Sequence, residues 1–140
     1  MNVAAFSAQT PRLNTEIAVA GYSYEGVLDS HSVTDETLSD LRGLRGEEYL
    51  NRMALTALAG DAGGPILDPT GGVLGMLLPA LSTGPQLPAD VAFSLDHETV
   101  QAALRDAGKS SQTANSSEQM AAEDISAAAR SMTVLISCWR

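Results

Sequence analysis

One cysteine in 140 residues, Cys138, excludes an internal disulfide and leaves no thiolate cluster for a metal. His31 and His97 are the only histidines, so neither a metal centre nor any other cofactor is expected. Basic residues are scarce as well: eight Lys and Arg stand against 17 Asp and Glu, a net charge of −9. That balance favours solubility and opposes binding to nucleic acid or to an anionic membrane. No apolar run approaches the roughly 20 residues of a membrane span. Met1 to Phe6 has no basic region and is too short for a signal peptide, so the chain as written is expected in the cytoplasm. Aromatic residues make up only 4%, so the core that a 44% hydrophobic chain can bury must be aliphatic. The length suits one ordinary domain or less, and no internal repeat is found.

Glycine, by contrast, is concentrated where it matters. Gly60-Asp61-Ala62-Gly63-Gly64-Pro65 packs three glycines and a proline into six residues, which excludes helix interior and suits a tight loop delivering the chain into a strand. Successive N–H groups of such a loop can turn to one side, as in an anion-binding nest. Ile66-Leu67, a Pro69-Thr70-Gly71-Gly72 turn and Val73 to Leu78 then spell a hairpin, and their near-continuous apolar character predicts burial on both faces.

Along the chain, strands are predicted near 16–22, 33–39, 50–56, 64–68, 72–79 and 91–95, after a short apolar strand over Val3 to Phe6 that Pro11 breaks. Helix and strand compete over Tyr49 to Ala57 on pattern alone. Residues 23–32, 41–48 and 81–89 read as loops. Asp96 is placed to cap a helix over 97–107, with Val100, Ala103 and Leu104 on one face and Gly108 as its stop. Residues 109–118 are mostly Ser, Gln, Thr and Asn and read as a linker. Ser116 and Gln119 form a candidate capping box for a second helix striped by Ala121, Ile125, Ala128 and Met132, and Thr133 to Trp139 reads as a strand-like end.

The glycine loop resembles the Gly-Asp-Ser-Gly-Gly-Pro nucleophile loop of the trypsin-like serine peptidases, with Ala62 where the serine stands. The HtrA/Deg-type branch is the most similar. Val19-Ala20-Gly21-Tyr22 resembles its strand ending in Gly-Tyr-Pro, with Ser23 for the proline; Val73-Leu74-Gly75-Met76 and Val91 to Asp96 resemble two later strands of that branch. The likeness covers residues 3–108. It implies an all-β fold with a C-terminal helix: the second six-stranded β-barrel of a two-barrel peptidase. Residues 1–7 would be a remnant of the first barrel, with Asn2 where an orienting aspartate would stand; the histidine-bearing part of that barrel has no counterpart. Residues 109–118 would then link the barrel to a helix-plus-strand tail over 119–140.

The resemblance also assigns roles. Ala62 takes the nucleophile position without a nucleophilic atom, and the Gly60 and Ala62 N–H groups match the oxyanion donors. Thr56 matches the floor of the primary specificity pocket, or is simple packing. Asp61 holds the loop through a buried ion pair, or bonds nearby amides as a partly exposed loop residue. Gly63 and Gly75 complete the binding set, with no metal. His31 and His97 read as ordinary surface histidines, Glu47 and Glu48 as a solvated face, and Cys138 as buried or inert.

The function expected is a catalytically inactive, peptidase-like module that binds a peptide or protein segment. The alternative is the C-terminal fragment of a serine endopeptidase with its nucleophile replaced and its first barrel missing, active only in the complete parent and exported if that parent carries a signal peptide. A lone second barrel would expose apolar surface, so self-association, a partner, or coverage by residues 109–140 is expected.

Overall fold

The computed structural model describes residues 2–24, 31–80 and 86–139. The centres of the loops expected at 23–32 and 81–89 lie outside the described residues. Among the described residues eight strands and two helices follow in order: β1 (Ala5–Phe6), β2 (Glu16–Gly21), β3 (Ser32–Asp40), β4 (Leu50–Met53), β5 (Pro65–Leu67), β6 (Val73–Leu77), β7 (Ala92–Asp96), α1 (His97–Asp106), β8 (Gln112–Thr113) and α2 (Ala122–Met132), with a 3-10 turn at Ala59–Asp61 before β5.

Six of the strands close a barrel. β2 pairs with β3, β3 with β4, β4 with β7, β7 with β6, β6 with β5, and β5 returns to β2, every pair antiparallel. Closure removes the free sheet edges that an open sheet would carry. Residues 50–53, where pattern left helix and strand in competition, are strand. That strand stops three residues short of expectation because Met53 already faces Ala92, the first residue of β7.

The interior is aliphatic, as composition requires: Ile17, Val19, Leu38, Met53, Leu55, Ile66, Leu74, Leu77 and Ala92 form one buried cluster. Because side chains alternate along a strand, Ala18 and Ala20 of β2 point outward. They are nonetheless buried, in a second cluster with Phe6, Leu67, Val73 and Ala129, against which Val100 and Leu104 of α1 and Ile125 and Met132 of α2 pack. Two layers on β2 explain why Ile17 to Ala20 reads as a continuous apolar run rather than an alternating one. Small residues on both sides let α2 approach closely, with Ala129 fully buried.

Local signals placed the best-predicted elements. Asp96 accepts the Thr99 N–H at 2.8 Å and caps α1, and Gly108 follows the helix with φ +72°. The β5–β6 turn is locked by Asp68, 4% exposed, whose Oδ1 accepts from Thr70 N, Thr70 Oγ1 and Gly72 N. Its Oδ2 accepts from Ser7 Oγ just after β1, tying the hairpin to the N-terminal segment.

The last third differs from expectation. Within the expected linker, β8 pairs in parallel with β1, and Ala114 N donates to Phe6 O at 2.7 Å. Ser116 does not cap a helix: its Oγ takes the Glu118 N–H at 3.2 Å, while Met120 N is drawn to Pro69 O. α2 starts only at Ala122, with no side-chain cap, and its buried stripe runs Ile125, Ala129, Met132 rather than through Ala128. Residues 133–139 form no strand. Cys138 is exposed, not buried.

Candidate functional site

The glycine loop leaves β4 through residues 54–58, tightens into the 3-10 turn and enters β5. Its backbone is tied on every side. Tyr22 N donates to Gly60 O at 3.0 Å, Gly63 N to Leu77 O at 2.8 Å, Gly64 N to Asp61 O at 3.0 Å, and Leu77 N to Gly64 O at 2.9 Å. Gly63 has φ +83°, a conformation that side chains with a Cβ resist. Gly64 passes so close to β2 that a Cβ there would stand 1.8 Å from Ala20 O. Ala62 and Gly63 remain exposed at the loop's crest.

Asp61 is 8% exposed and makes the loop's side-chain anchor. Oδ2 accepts the Leu58 N–H at 2.9 Å while Asp61 N donates back to Leu58 O at 3.0 Å. Oδ1 accepts from Ser23 Oγ at 2.6 Å, and Ser23 Oγ lies 2.5 Å from Ser32 Oγ. Ser23 spends its one proton on the carboxylate, so Ser32 is the donor between the two hydroxyls. Of the two readings of Asp61, bonding to nearby groups is the one realised: its partners are an amide and a hydroxyl, not a cation. The site is buried all the same. Ser23, which replaces the resemblance's proline, supplies a contact that sequence reasoning missed.

The remaining assigned residues scatter. Thr56 is exposed on the approach to the loop. Gly75 lies in the barrel wall, paired with Ile66 on one side and Asp96 on the other, so its backbone is committed to the sheet. The Ala62 N–H, expected to face outward as an oxyanion donor, turns into the 3-10 turn toward Ala59 O at 3.3 Å. In this conformation the loop does not present Gly60 and Ala62 as a free pair.

Neither histidine matches a surface residue fully. His31 is half-buried with its ring edge-on to Tyr22, centroids 6.4 Å apart. Burial and then the Arg130 guanidinium push its pKa below the ordinary histidine value. His97 opens α1, half-buried, with Nδ1 enclosed and lacking a hydrogen-bond partner. Among the described residues no imidazole is hydrogen-bonded to a carboxylate, the arrangement that orients a catalytic base. Glu48 forms only an exposed ion pair with Arg42, and Glu47 accepts the Arg45 N–H, as a solvated face should.

A groove of about 320 Å³ runs beside the loop. Ala59, Gly60, Ala62 and Gly63 line one side; Thr133 to Ile136, beyond α2, line the other. Sequence reasoning expected residues 109–140 to be able to cover the barrel, but gave no signal that Thr133 to Ile136 would lie beside the glycine loop.

Comparison with known proteins agrees with the barrel. The chain has a TM-score of 0.59 with the inactive, serine-to-alanine mutant form of the Rv3671c protease of M. tuberculosis, at 24% identity over 75% of this chain and 53% of that one. The active form of the same protease gives 0.58 at 21% identity, covering 79% and 50%. A serine endoprotease from Yersinia pestis gives 0.55 at 16% identity, covering 71% and 32%. The fold is therefore that of a trypsin-like protease barrel. No protein-family model matches the chain. An uncharacterized protein of Sinorhizobium fredii, y4bJ, is 28% identical over 134 residues, 91% of this chain. The chain spans about half the length of the Rv3671c chains and 21% of y4bJ.

Proposed function

We propose that this chain is a catalytically inactive barrel of the trypsin-like serine peptidase type, with HtrA/Deg-type relatives, that binds a peptide or protein segment at the groove beside its glycine loop. The observation that carries this reading is Ala62: the crest of an intact, heavily bonded loop holds a methyl group where an attacking hydroxyl would be needed. Supporting it, Asp61 and Gly63 fix the loop's shape, and Gly60 and Ala62 line a groove with no charged lining. Thr56 and Gly75 do not line this groove. Hydrolysis of a p-nitrophenyl ester by the purified chain tests the inactive half of the reading. No turnover above that of an unrelated acidic protein is expected; saturable turnover would overturn it.

A second reading has one observation behind it, the small share of the matched proteins that the chain spans. On that reading the chain is the C-terminal part of a larger serine endopeptidase whose nucleophile has been replaced and whose first barrel is missing.

A further inference from the structure

Another cleft, of about 520 Å³, lies on the outer face of the β2–β3 hairpin beside the first turns of α2. It shares no lining residue with the groove at the glycine loop. Its floor follows from strand register. Glu16 stands opposite Thr37 and Ala18 opposite Asp35, and residues facing each other across an antiparallel pair project to the same side. Ala18 belongs to the outer cluster against which α2 packs, so Glu16 and Asp35 project outward with it. They occupy a diagonal of the ladder, about 7–8 Å apart. The facing wall is apolar: Met120, Ala122 and Ile125, with Pro69 of the β5–β6 turn. Met120 is fixed there by its own N–H, which donates to Pro69 O at 2.8 Å.

Charge sets the sign of the ligand. Four acidic residues, Glu16, Asp35, Glu36 and Asp68, line the cleft, and no Lys, Arg or His does. Every basic residue of the chain except Arg140 is described, and the ion pairs among the described residues are Arg42–Glu48 and Arg52–Asp40. Asp68 is the member that points to a ligand. It is 4% exposed, and its four hydrogen bonds all come from neutral donors: Ser7 Oγ, Thr70 N, Thr70 Oγ1 and Gly72 N. A buried carboxylate ordinarily has a counter-charge as well. Among the described residues no three metal-ligating side chains converge to hold an ion. Carboxylates spread along an apolar wall suit an organic cation on an aliphatic stem instead. Arginine fits best, because its planar guanidinium carries five donors and can serve two separated carboxylates at once.

We propose that this cleft is a docking site for an arginine-bearing segment of a partner protein. The guanidinium lies between Glu16 and Asp35 and supplies the counter-charge to Asp68, while an aliphatic neighbour in the segment rests on Met120 and Ile125. The net charge of −9 attracts such a segment from a distance, and the apolar wall selects it on contact.

The test uses the full chain and the fluorescein-labelled peptide Gly-Gly-Ala-Arg-Leu-Ala-Gly, followed by anisotropy, with a Gln-for-Arg peptide as its uncharged counterpart. Two double variants remove the same charge: Glu16→Gln with Asp35→Asn in the cleft, and Glu47→Gln with Glu48→Gln on the solvated face. The unmodified chain is expected to bind the arginine peptide saturably and the glutamine peptide not at all. Affinity is expected to fall about tenfold in the cleft variant and to stay within about twofold in the other. Amide resonances of Ala122 and Ile125 are expected to shift on titration with the arginine peptide, and those of Gly60 and Gly63 to stay in place. No saturable binding, equal binding of both peptides, or equal losses in both double variants overturns the site. Shifts confined to Gly60 and Gly63 also overturn it, while leaving the peptide site at the glycine loop standing. Displacement of the peptide by an equal concentration of spermidine overturns the protein partner in favour of a small polyamine.

Discussion

Replacing Asp61 by alanine removes the acceptor that ties the glycine loop back to Leu58 and across to Ser23, two residues beyond β2. Two donors lose their partner: the Leu58 N–H at 2.9 Å and Ser23 Oγ at 2.6 Å. Hydrogen bonds to a charged group contribute about 1.5–3 kcal/mol each. The hydroxyl can recover part of this by turning to Ser32 Oγ, already 2.5 Å away. The Leu58 amide has no second hydrogen-bond partner among the described residues. We therefore expect Asp61→Ala to destabilise the fold by about 2–4 kcal/mol, and Ser23→Ala by about 1 kcal/mol, since it leaves Oδ1 short of one donor. The double variant should lose less than the sum, with a coupling energy of about 1 kcal/mol. Asp61→Asn should fall between, because its amide group must set a donor against one of the two existing donors. Urea unfolding followed by far-UV circular dichroism measures all four; Trp139, 94% exposed, is a poor reporter. Additive losses from Asp61→Ala and Ser23→Ala, or a loss under about 0.5 kcal/mol for Asp61→Ala, would refute the anchor.

Two further perturbations act on the same region. Gly64→Ala sets a methyl carbon against Ala20 O, a contact backbone cannot relieve by a side-chain rotation, and should destabilise by about 3 kcal/mol or more in the same urea assay. His31 carries a depressed pKa in the folded chain, so below the ordinary histidine value of about 6.5 the unfolded state binds more protons. Stability should therefore fall as pH drops from 7 through that value, and His31→Gln should flatten this part of the pH–stability curve; an unchanged slope would show that burial and Arg130 do not hold the imidazole neutral.

The parts of the fold legible in the sequence were those with local signals. The Pro69 to Gly72 turn, the Asp96 cap and the glycine loop each announce themselves within a few residues, and the barrel strands around them fall within a few residues of expectation. What escaped depends on distant partners. Ser23 meets Asp61 across 38 residues, and nothing beside either residue marks the contact. Gln112 and Thr113 become strand only because β1 offers an edge. Ser116 and Gln119 spell a capping box, but Met120 is pulled to Pro69 before a helix can begin there. Thr133 to Trp139 has strand-forming residues and, among the described residues, no strand to pair with. The position of the loop was readable, whereas the orientation of the Ala62 amide was not, because a 3-10 turn and an outward-facing amide use the same residues.

The central proposal is that the glycine loop is a peptidase-type loop without catalytic machinery around it, and placing a serine at position 62 tests it most directly. A serine hydroxyl attacks slowly until a base removes its proton, and no imidazole among the described residues is oriented by a carboxylate to act as one. The unmodified chain and Ala62→Ser are treated with a fluorophosphonate probe, and labelling is timed and mapped by peptide mass spectrometry. The account predicts that Ala62→Ser labels at position 62 no faster than the chain's other exposed serines. Rapid, stoichiometric labelling at that position would contradict it and identify His31 or His97 as a working base.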